Sequence, residues 1–289
     1  MNLRKKSKIL VGCAQINSVL GDIQSNVEKH IVSIKEAKAN DCDLLVFPEL
    51  SLTGYRMDDY GRSLAVSIDS DVLNQIAIEV DKSISVVIGF VEEGPCGLVY
   101  NSAALLNDSK VCFVHRKMSL PTFGRLDEGK YFAEGRTVQL YNLSSEWTLS
   151  SLICQDVWQP SLVHVAAMKG ATLFVSPFCS AIGGIGENYD NAAGWEITSK
   201  YISMTYGMPS IMCNRVGKEK DFEYWGGSSI VGPYGNILTK AGADEELILA
   251  QLDYMDVQDA RYSLPIVRDC RIDTTIRELQ KAAAGDFGE

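Results

Sequence analysis

Apolar residues fall along this chain in short unbroken runs that alternate with stretches of helical spacing. Lys8 to Gln15 (KILVGCAQ) is a mostly apolar run that predicts a buried strand. Asp22 is placed to cap a helix, since Ile23, Val27, Ile31 and Ile34 keep helical spacing after it and Asn40 marks a stop. Leu44 to Phe47 predicts a second buried strand, cut by Pro48, so Glu49 falls just past a strand's carboxyl end. A helix over Asp71–Lys82 and a strand over Ser85–Val91 repeat the pattern. Tyr100–Leu106 and Lys110–His115 then read as a hairpin around Asn107-Asp108.

Lys117 to Arg136 is polar, carries glycines and has no clear period, which in a compact chain points to a functional segment. Thr148–Ile153 predicts a strand that ends at Cys154. Pro160 opens a helix that Gly170 stops, and Ala171–Ser176 is again a strand. Asn191–Tyr206 is a helix ended by Gly207. Ser210–Cys213, Ser228–Val231 and Leu247–Leu252 complete the strands, with a turn at Pro233-Tyr234-Gly235-Asn236. The tail beyond Asp253 is polar with helical propensity and is expected to pack outside the core. No composition break, low-complexity tract or internal repeat marks a linker, so residues 1–289 read as a single α/β domain. Strands that alternate first with helices and then with one another predict two mixed sheets with helices on their outer faces.

Composition narrows the function. The chain has 289 residues, 46% of hydrophobic type and 22% charged, with 8 prolines and 24 glycines, which argues for a globular enzyme and against disordered or collagenous protein. The formal charge is 27 − 37 = −10, so polyanions are repelled and nucleic acid is not an expected partner. The basic cluster Arg4, Lys5, Lys6 and Lys8 reads as a solvated start. Eight cysteines are spread singly, with no Cys-x-x-Cys pair and only three histidines, a pattern of a reducing, cytoplasmic compartment without a zinc or other metal site. The apolar run before Cys13 is only Ile9 to Val11, too short for a signal sequence, and no window approaches the roughly 20 apolar residues of a membrane span. Gly183-Gly184-Ile185-Gly186 lacks the strand-to-helix setting of a dinucleotide loop and reads as a mobile rim, so no cofactor is expected.

Glu49, Lys117 and Cys154 each fall where a predicted strand gives way to loop, the place where α/β architectures collect their ligand sites. Taken singly they are a loop carboxylate, a solvated lysine and an inert core cysteine. Together with their neighbours they say more. FPELSLTGY (47–55), HRKMSLPTFGRLDEGKYF (115–132) and ICQDVWQP (153–160) resemble the three signature blocks of the nitrilase, or carbon–nitrogen hydrolase, superfamily. CNRVG (213–217) and GGSSIVGPYGNIL (226–238) resemble its later blocks in the same order. The loop after Lys117 is most similar to that of the glutaminase domain of glutamine-dependent NAD synthetases. Cys154-Gln155-Asp156 stands where Cys-Glu-Asp or Cys-Tyr-Asp is frequent.

The resemblance implies a nitrilase-like α-β-β-α sandwich and a Glu49-Lys117-Cys154 triad that cleaves a small primary amide to acid and ammonia through a cysteine thioester. The chemistry of each side chain fits. A thiol with a reference pKa near 8.5 needs a base or cation to attack an unactivated amide, which Glu49 supplies, while Lys117 and the backbone N–H of Gln155 face the oxyanion. Glu128 is expected beside Lys117, with Asp127 as the competing residue. Tyr55, Phe123, Trp158, Phe178 and Ser180 are candidate walls of the substrate pocket or, equally, core. Asn214 and Arg215 read as structural. The resemblance further implies a homodimer across helix Pro160–Lys169 and the carboxyl tail, and a free-standing amidase, since the chain stops where a synthetase domain would begin. Nitrile hydrolysis, a glutaminase-type subunit that supplies ammonia to a partner, and a Cys-His hydrolase using Cys154 with His164 or His115 are the alternatives.

Overall fold

The elements form where the apolar pattern puts them. The computed structural model describes residues 6–58 and 60–285, so Arg4 and Lys5 of the basic cluster lie outside the described residues. Lys8, at the head of β1 (Lys8–Gln15), pairs with Asp253 at 3.2 Å. Asp22 accepts the Ser25 N–H at 3.0 Å and caps α1 (Ile23–Ala39), which buries Val27, Ile34 and Ala37 and stops at Asn40. β2 (Leu44–Val46) follows. α2 (Asp71–Ala77) ends five residues before the expected Lys82. The N–H groups of Glu79 and Val80 bond back only three residues, and the Val80 carbonyl is taken by Ser109, so the chain tightens and turns toward β3 (Ser85–Glu93). β4 (Val99–Asn107) and β5 (Lys110–Arg116) form the expected hairpin, its turn resting on Asp108 and Ser109, both left-handed.

The second half begins with β6 (Tyr141–Asn142), β7 (Thr148–Ser151), α3 (Pro160–Met168), β8 (Leu173–Phe178) and α4 (Asn191–Tyr206), which Gly207 ends at φ 52°. β9 (Ser210–Asn214), the ribbon of β10 (Val216–Glu219) and β11 (Phe222–Trp225), β12 (Ser229–Val231), β13 (Ile237–Lys240) and β14 (Glu246–Asp253) follow. α5 (Tyr254–Ser263), α6 (Ile266–Asp269) and α7 (Ile272–Ala283) close the described chain. The tail is therefore helical as expected, but only partly outside the core: α5 buries Val257 and Ala260, whereas α6 and α7 bury nothing. The sequence pattern misses β6, β10, β11 and β13, which are two to four residues long and too short to show a period.

Two six-stranded mixed sheets result, in the orders β14-β1-β2-β3-β4-β5 and β13-β12-β9-β8-β7-β6. Each has parallel neighbours at its centre, β1-β2-β3 in one and β7-β8-β9 in the other. One apolar layer, including Val11, Cys13, Val46, Leu105, Val175, Ile211 and Cys213, fills the space between the sheets. The outer face of the first sheet packs Phe47, Ile88 and Phe90 against Val27, Ile34 and Ile76 of α1 and α2, and that of the second packs Phe174 and Met212 against α3 and α4. Burial on both faces explains why the central strands read as continuous apolar runs rather than alternating ones.

This layering positions the site. β2 and β5 run the same way in one sheet, β7 and β8 in the other, so the segments that follow their carboxyl ends can converge above the inter-sheet core. Gly89 in β3 lies directly beneath the first of them: a Cβ there would stand 2.3 Å from the Leu50 nitrogen and 2.5 Å from the Pro48 oxygen. Gly89→Ala is therefore expected to lower stability by about 2 kcal/mol and to displace Glu49. Thermal melting checks this, and a wild-type melting temperature would contradict it.

Candidate active site

Glu49 is fixed by a turn that the sequence builds in steps. Phe47 still donates to the Val87 carbonyl as a strand residue, Pro48 ends the strand, and Leu50 takes a left-handed φ of 48°. Ser51 is then anchored by the buried His30, Nε2 to Oγ 2.9 Å, and Leu52 donates to the Gly89 carbonyl. Lys117 leaves β5 with its N–H on the Asn101 carbonyl at 2.8 Å, while its own carbonyl accepts from Gly135 at 2.7 Å. Cys154 opens a 3-10 turn, Cys154–Trp158, with a left-handed φ of 46°. A non-glycine residue there carries backbone strain of about 1–3 kcal/mol, which a well-determined surround must hold in place.

The three segments meet. Lys117 Nζ donates to Glu49 Oε1 at 2.6 Å and to Glu128 Oε1 at 2.7 Å, all three side chains being buried. Tyr55 Oη donates to Glu128 Oε1 at 2.6 Å. Asn101 Nδ2 donates to Glu49 Oε1 at 2.7 Å and, more weakly, to Glu128 Oε2 at 3.4 Å. The backbone N–H of Cys179, just past β8, donates to Glu49 Oε2 at 2.9 Å, and its thiol donates to the Glu49 carbonyl at 3.0 Å. Cys154 is half-buried beside them, within the electrostatic reach of Glu49, Lys117 and Glu128.

Asp156 joins the two loops that carry Lys117 and Cys154. Its Oδ1 accepts the backbone N–H groups of Met118 at 3.0 Å and Ser119 at 2.7 Å; its Oδ2 accepts that of Ile153 at 3.1 Å and lies 2.9 Å from His115 Nε2. One fully buried carboxylate thus holds the residues on either side of the cation and of the thiol.

The electrostatics follow from burial and proximity. Burial opposes the Lys117 charge, but Glu128 and Glu49 outweigh it and hold the ammonium well above the usual lysine range. Burial pushes Glu128 up to about 7 against the pull of Lys117, with Glu49 adding to the rise. The Cys154 thiol is pushed well up by burial and by Glu49, opposed by Lys117. A thiol in that condition is a poor nucleophile unless its proton has somewhere to go, and the carboxylates of Glu49 and Glu128 lie within electrostatic reach of it.

The other sequence candidates separate. Tyr55 belongs to the cluster. Asp127 faces away, 3.7 Å from Lys130, so Glu128 is the residue that reaches Lys117. Gln155 follows Cys154 in the same turn, half-buried. Phe123 is 43% exposed on the long loop, next to Arg125, whose N–H donates to Gly184 across the rim. Ser180 donates its N–H to Asn214 Oδ1. Phe178 and Trp158, read as pocket walls or core, pack into the outer apolar layer. Phe178 stacks on Trp195 at 4.1 Å, and Trp158 meets Trp195 edge-on at 5.3 Å, because strand alternation turns Phe178 away from its neighbour Cys179. Arg215 is buried on Glu219 and over the Tyr224 ring, as a structural residue would be. His164 meets Tyr206 Oη at 3.3 Å and Cys270 Sγ at 3.4 Å, and His115 is held by Asp156, so neither is placed as a base for Cys154. Sequence reasoning missed Asn101 and Cys179. Both had a signal: an amide in an otherwise apolar strand, and a polar residue at a strand's carboxyl end. Among the described residues, no group of three or more His, Cys, Asp or Glu is arranged to hold a metal ion, and no helix is long and apolar enough to cross a membrane.

Residues 10–262 match the model of the carbon-nitrogen hydrolase family. The chain belongs to that family. This carbon-nitrogen hydrolase is 28% identical over 98% of its length to the glutamine-dependent NAD(+) synthetase of Thermotoga maritima, of which it spans 48%. It is 26% identical over 92% of its length to the 2-oxoglutaramate amidase of Bacillus subtilis, covering 99% of that protein. A carbon-nitrogen hydrolase from Helicobacter pylori shares the fold with a TM-score of 0.81 at 25% identity, over 92% of this chain and 96% of that one. The sandwich expected from the sequence is thus the fold of this family.

Glu128 gives the site a signature in stability. Between the ordinary carboxylate range and about 7, the folded hydrolase keeps a proton on Glu128 that the unfolded chain has released, so this group's contribution to stability falls as pH rises through that window. Glu128→Gln is expected to remove that dependence, leaving the melting temperature above pH 7 equal to or higher than wild type, while amide turnover falls about 100-fold to 1,000-fold. Melting curves across the window, paired with rates, check it; a variant that melts lower at every pH would refute the assignment.

Proposed function

We propose that this hydrolase converts a small primary amide to the acid and ammonia through a Cys154 thioester. The observation that carries the reading is the buried Lys117 ammonium held between Glu49 and Glu128, with the Cys154 thiol in their field. The Cys154 sulfur adds to the amide carbonyl as its proton passes to Glu49. The oxyanion is met by Lys117 Nζ and the Gln155 N–H. Glu49 returns the proton to the nitrogen, ammonia leaves, and the thioester remains. Water then attacks the thioester with Glu49 as base, which releases the acid and restores the thiol. Glu128, fixed by Tyr55, orients Lys117 and the amide. Phe123 and Ser180 are the proposed rim and floor of the acyl pocket. Similarity to a 2-oxoglutaramate amidase and to the Xenopus laevis omega-amidase supports an amide substrate.

A second reading has its own observation, the match of nearly the whole chain to about half of a glutamine-dependent NAD(+) synthetase. In that reading the amide is glutamine, and the ammonia passes to a partner. The two part on a simple assay of the purified chain over a panel of amides and nitriles. Ammonia release that depends on Cys154 and Glu49, lost at least 1,000-fold in Cys154→Ala and Glu49→Gln, is expected. Undiminished release by Cys154→Ala would end both readings, and release that appears only on adding a synthetase would select the second.

A homodimer is also proposed. Val165 of α3 and Ile197, Tyr201 and Met204 of α4 are exposed on the outer helical layer, an apolar patch of the kind that self-association covers. Tyr201→Asp is expected to convert a dimer to a monomer by light scattering; a monomeric wild type at working concentration would contradict the pairing.

A further inference from the structure

The charge of the site does not balance, and one neutral residue stands at the imbalance. Glu49 and Glu128 share a single ammonium, so with both acids ionised the buried cluster would carry an excess negative charge, which hydrogen-bond donors or a proton held on one acid must meet. Tyr55 serves Glu128 alone, and the Cys179 N–H serves Glu49 alone. Apart from Lys117, Asn101 is the residue among those described that donates to both carboxylates. Its backbone carbonyl also holds the Lys117 N–H. Being neutral, it links the two acids without adding a charge.

The link is unequal: the bond to Glu49 is 2.7 Å and that to Glu128 3.4 Å. A short amide N–H bond holds the carboxylate that accepts it in place, so the closer bond singles out Glu49 of the two acids. The arrangement has a cost. With Nδ2 turned to the carboxylates, Oδ1 of Asn101 is buried with no hydrogen-bond partner. A residue kept for packing alone at a fully buried position of β4 has no reason to leave an acceptor unsatisfied, at about 1–3 kcal/mol, when an aliphatic side chain would fill the space. The orphaned oxygen marks a residue retained for what its amide nitrogen does.

We propose that Asn101 is a positioning residue of the amidase: by donating closely to Glu49 and only distantly to Glu128, it decides which of the two buried carboxylates serves as the base. This rests on the amidase reading. The titratable groups around the pair are Lys117, Tyr55, Cys154, Cys179 and Tyr224, with Arg215 and Glu219 behind Cys179. None of them is replaced in the test.

The test is the rate at which iodoacetamide alkylates Cys154, followed by peptide mass across the acid-to-neutral range, so that it needs no knowledge of the natural substrate. Wild type, Asn101→Ser, the isosteric Asn101→Asp and Glu49→Gln are compared, each first shown to be folded by its melting curve. In Asn101→Ser the acid limb of the alkylation rate should move up by roughly one pH unit, and in Asn101→Asp further, because a donor to the base is lost and then replaced by a third carboxylate. Amide turnover by Asn101→Ser should lose about tenfold to 100-fold in kcat with KM little changed. Folded Asn101 variants with the wild-type limb would overturn the proposal. A Glu49→Gln variant with an unaltered Cys154 profile would instead overturn the amidase reading, because Glu49 would then not be the base.

Discussion

One ammonium shared by two buried carboxylates is the interaction on which the rest of this molecule's chemistry depends. Lys117, Glu49 and Glu128 come from separate segments, and the three are withdrawn from water together. Such clusters are poor sources of stability, because the desolvation of each ion offsets its attraction to the others. What the cluster gains is fixed placement in a low-dielectric surround, where a charge acts strongly on a neighbouring thiol or oxyanion. The rise of Glu128 to about 7 and of the Cys154 thiol above its usual range have the same origin: two acids and a thiol confined with one cation.

The fold holds this cluster by backbone geometry more than by side-chain packing. Two left-handed residues, Leu50 and Cys154, turn the chain sharply past the ends of their strands, which leaves the thiol within the electrostatic reach of Glu49. Asp156 supplies the cross-brace, taking N–H groups from both the Lys117 loop and the Cys154 turn. That brace depends in turn on two sheets whose parallel centres bring several carboxyl ends to one rim. Farther out, Arg125 of the long loop donates its N–H to the glycine-bearing segment at Gly184, beside the exposed Phe123.

Much of this was legible in the sequence, for reasons that differ from residue to residue. Central strands such as Leu44–Val46 and Ser85–Glu93 announce themselves because burial on both faces demands unbroken apolar runs. Glu49, Lys117 and Cys154 stood out as chemistry-bearing residues at strand ends, and the ordered motifs bound them into one site. Asn101 offered a signal, a buried amide in β4, but its role exists only once Glu49 and Glu128 are brought together from positions far apart in the chain. Phe178, open between pocket wall and core, proves to be core, while its neighbour Cys179 is the residue that reaches Glu49. The ribbon Val216–Trp225 escaped because its strands are shorter than any period that could reveal them.

The measurement that bears most directly on the account is the intact mass of the protein stopped during turnover of a series of small carboxamides, with the modified peptide then mapped. A mass gain equal to each acyl group, carried by Cys154 and discharged by water as acid, is the predicted result. Steady ammonia release with residue 154 unmodified throughout, or an acyl group found on any other side chain, would contradict it.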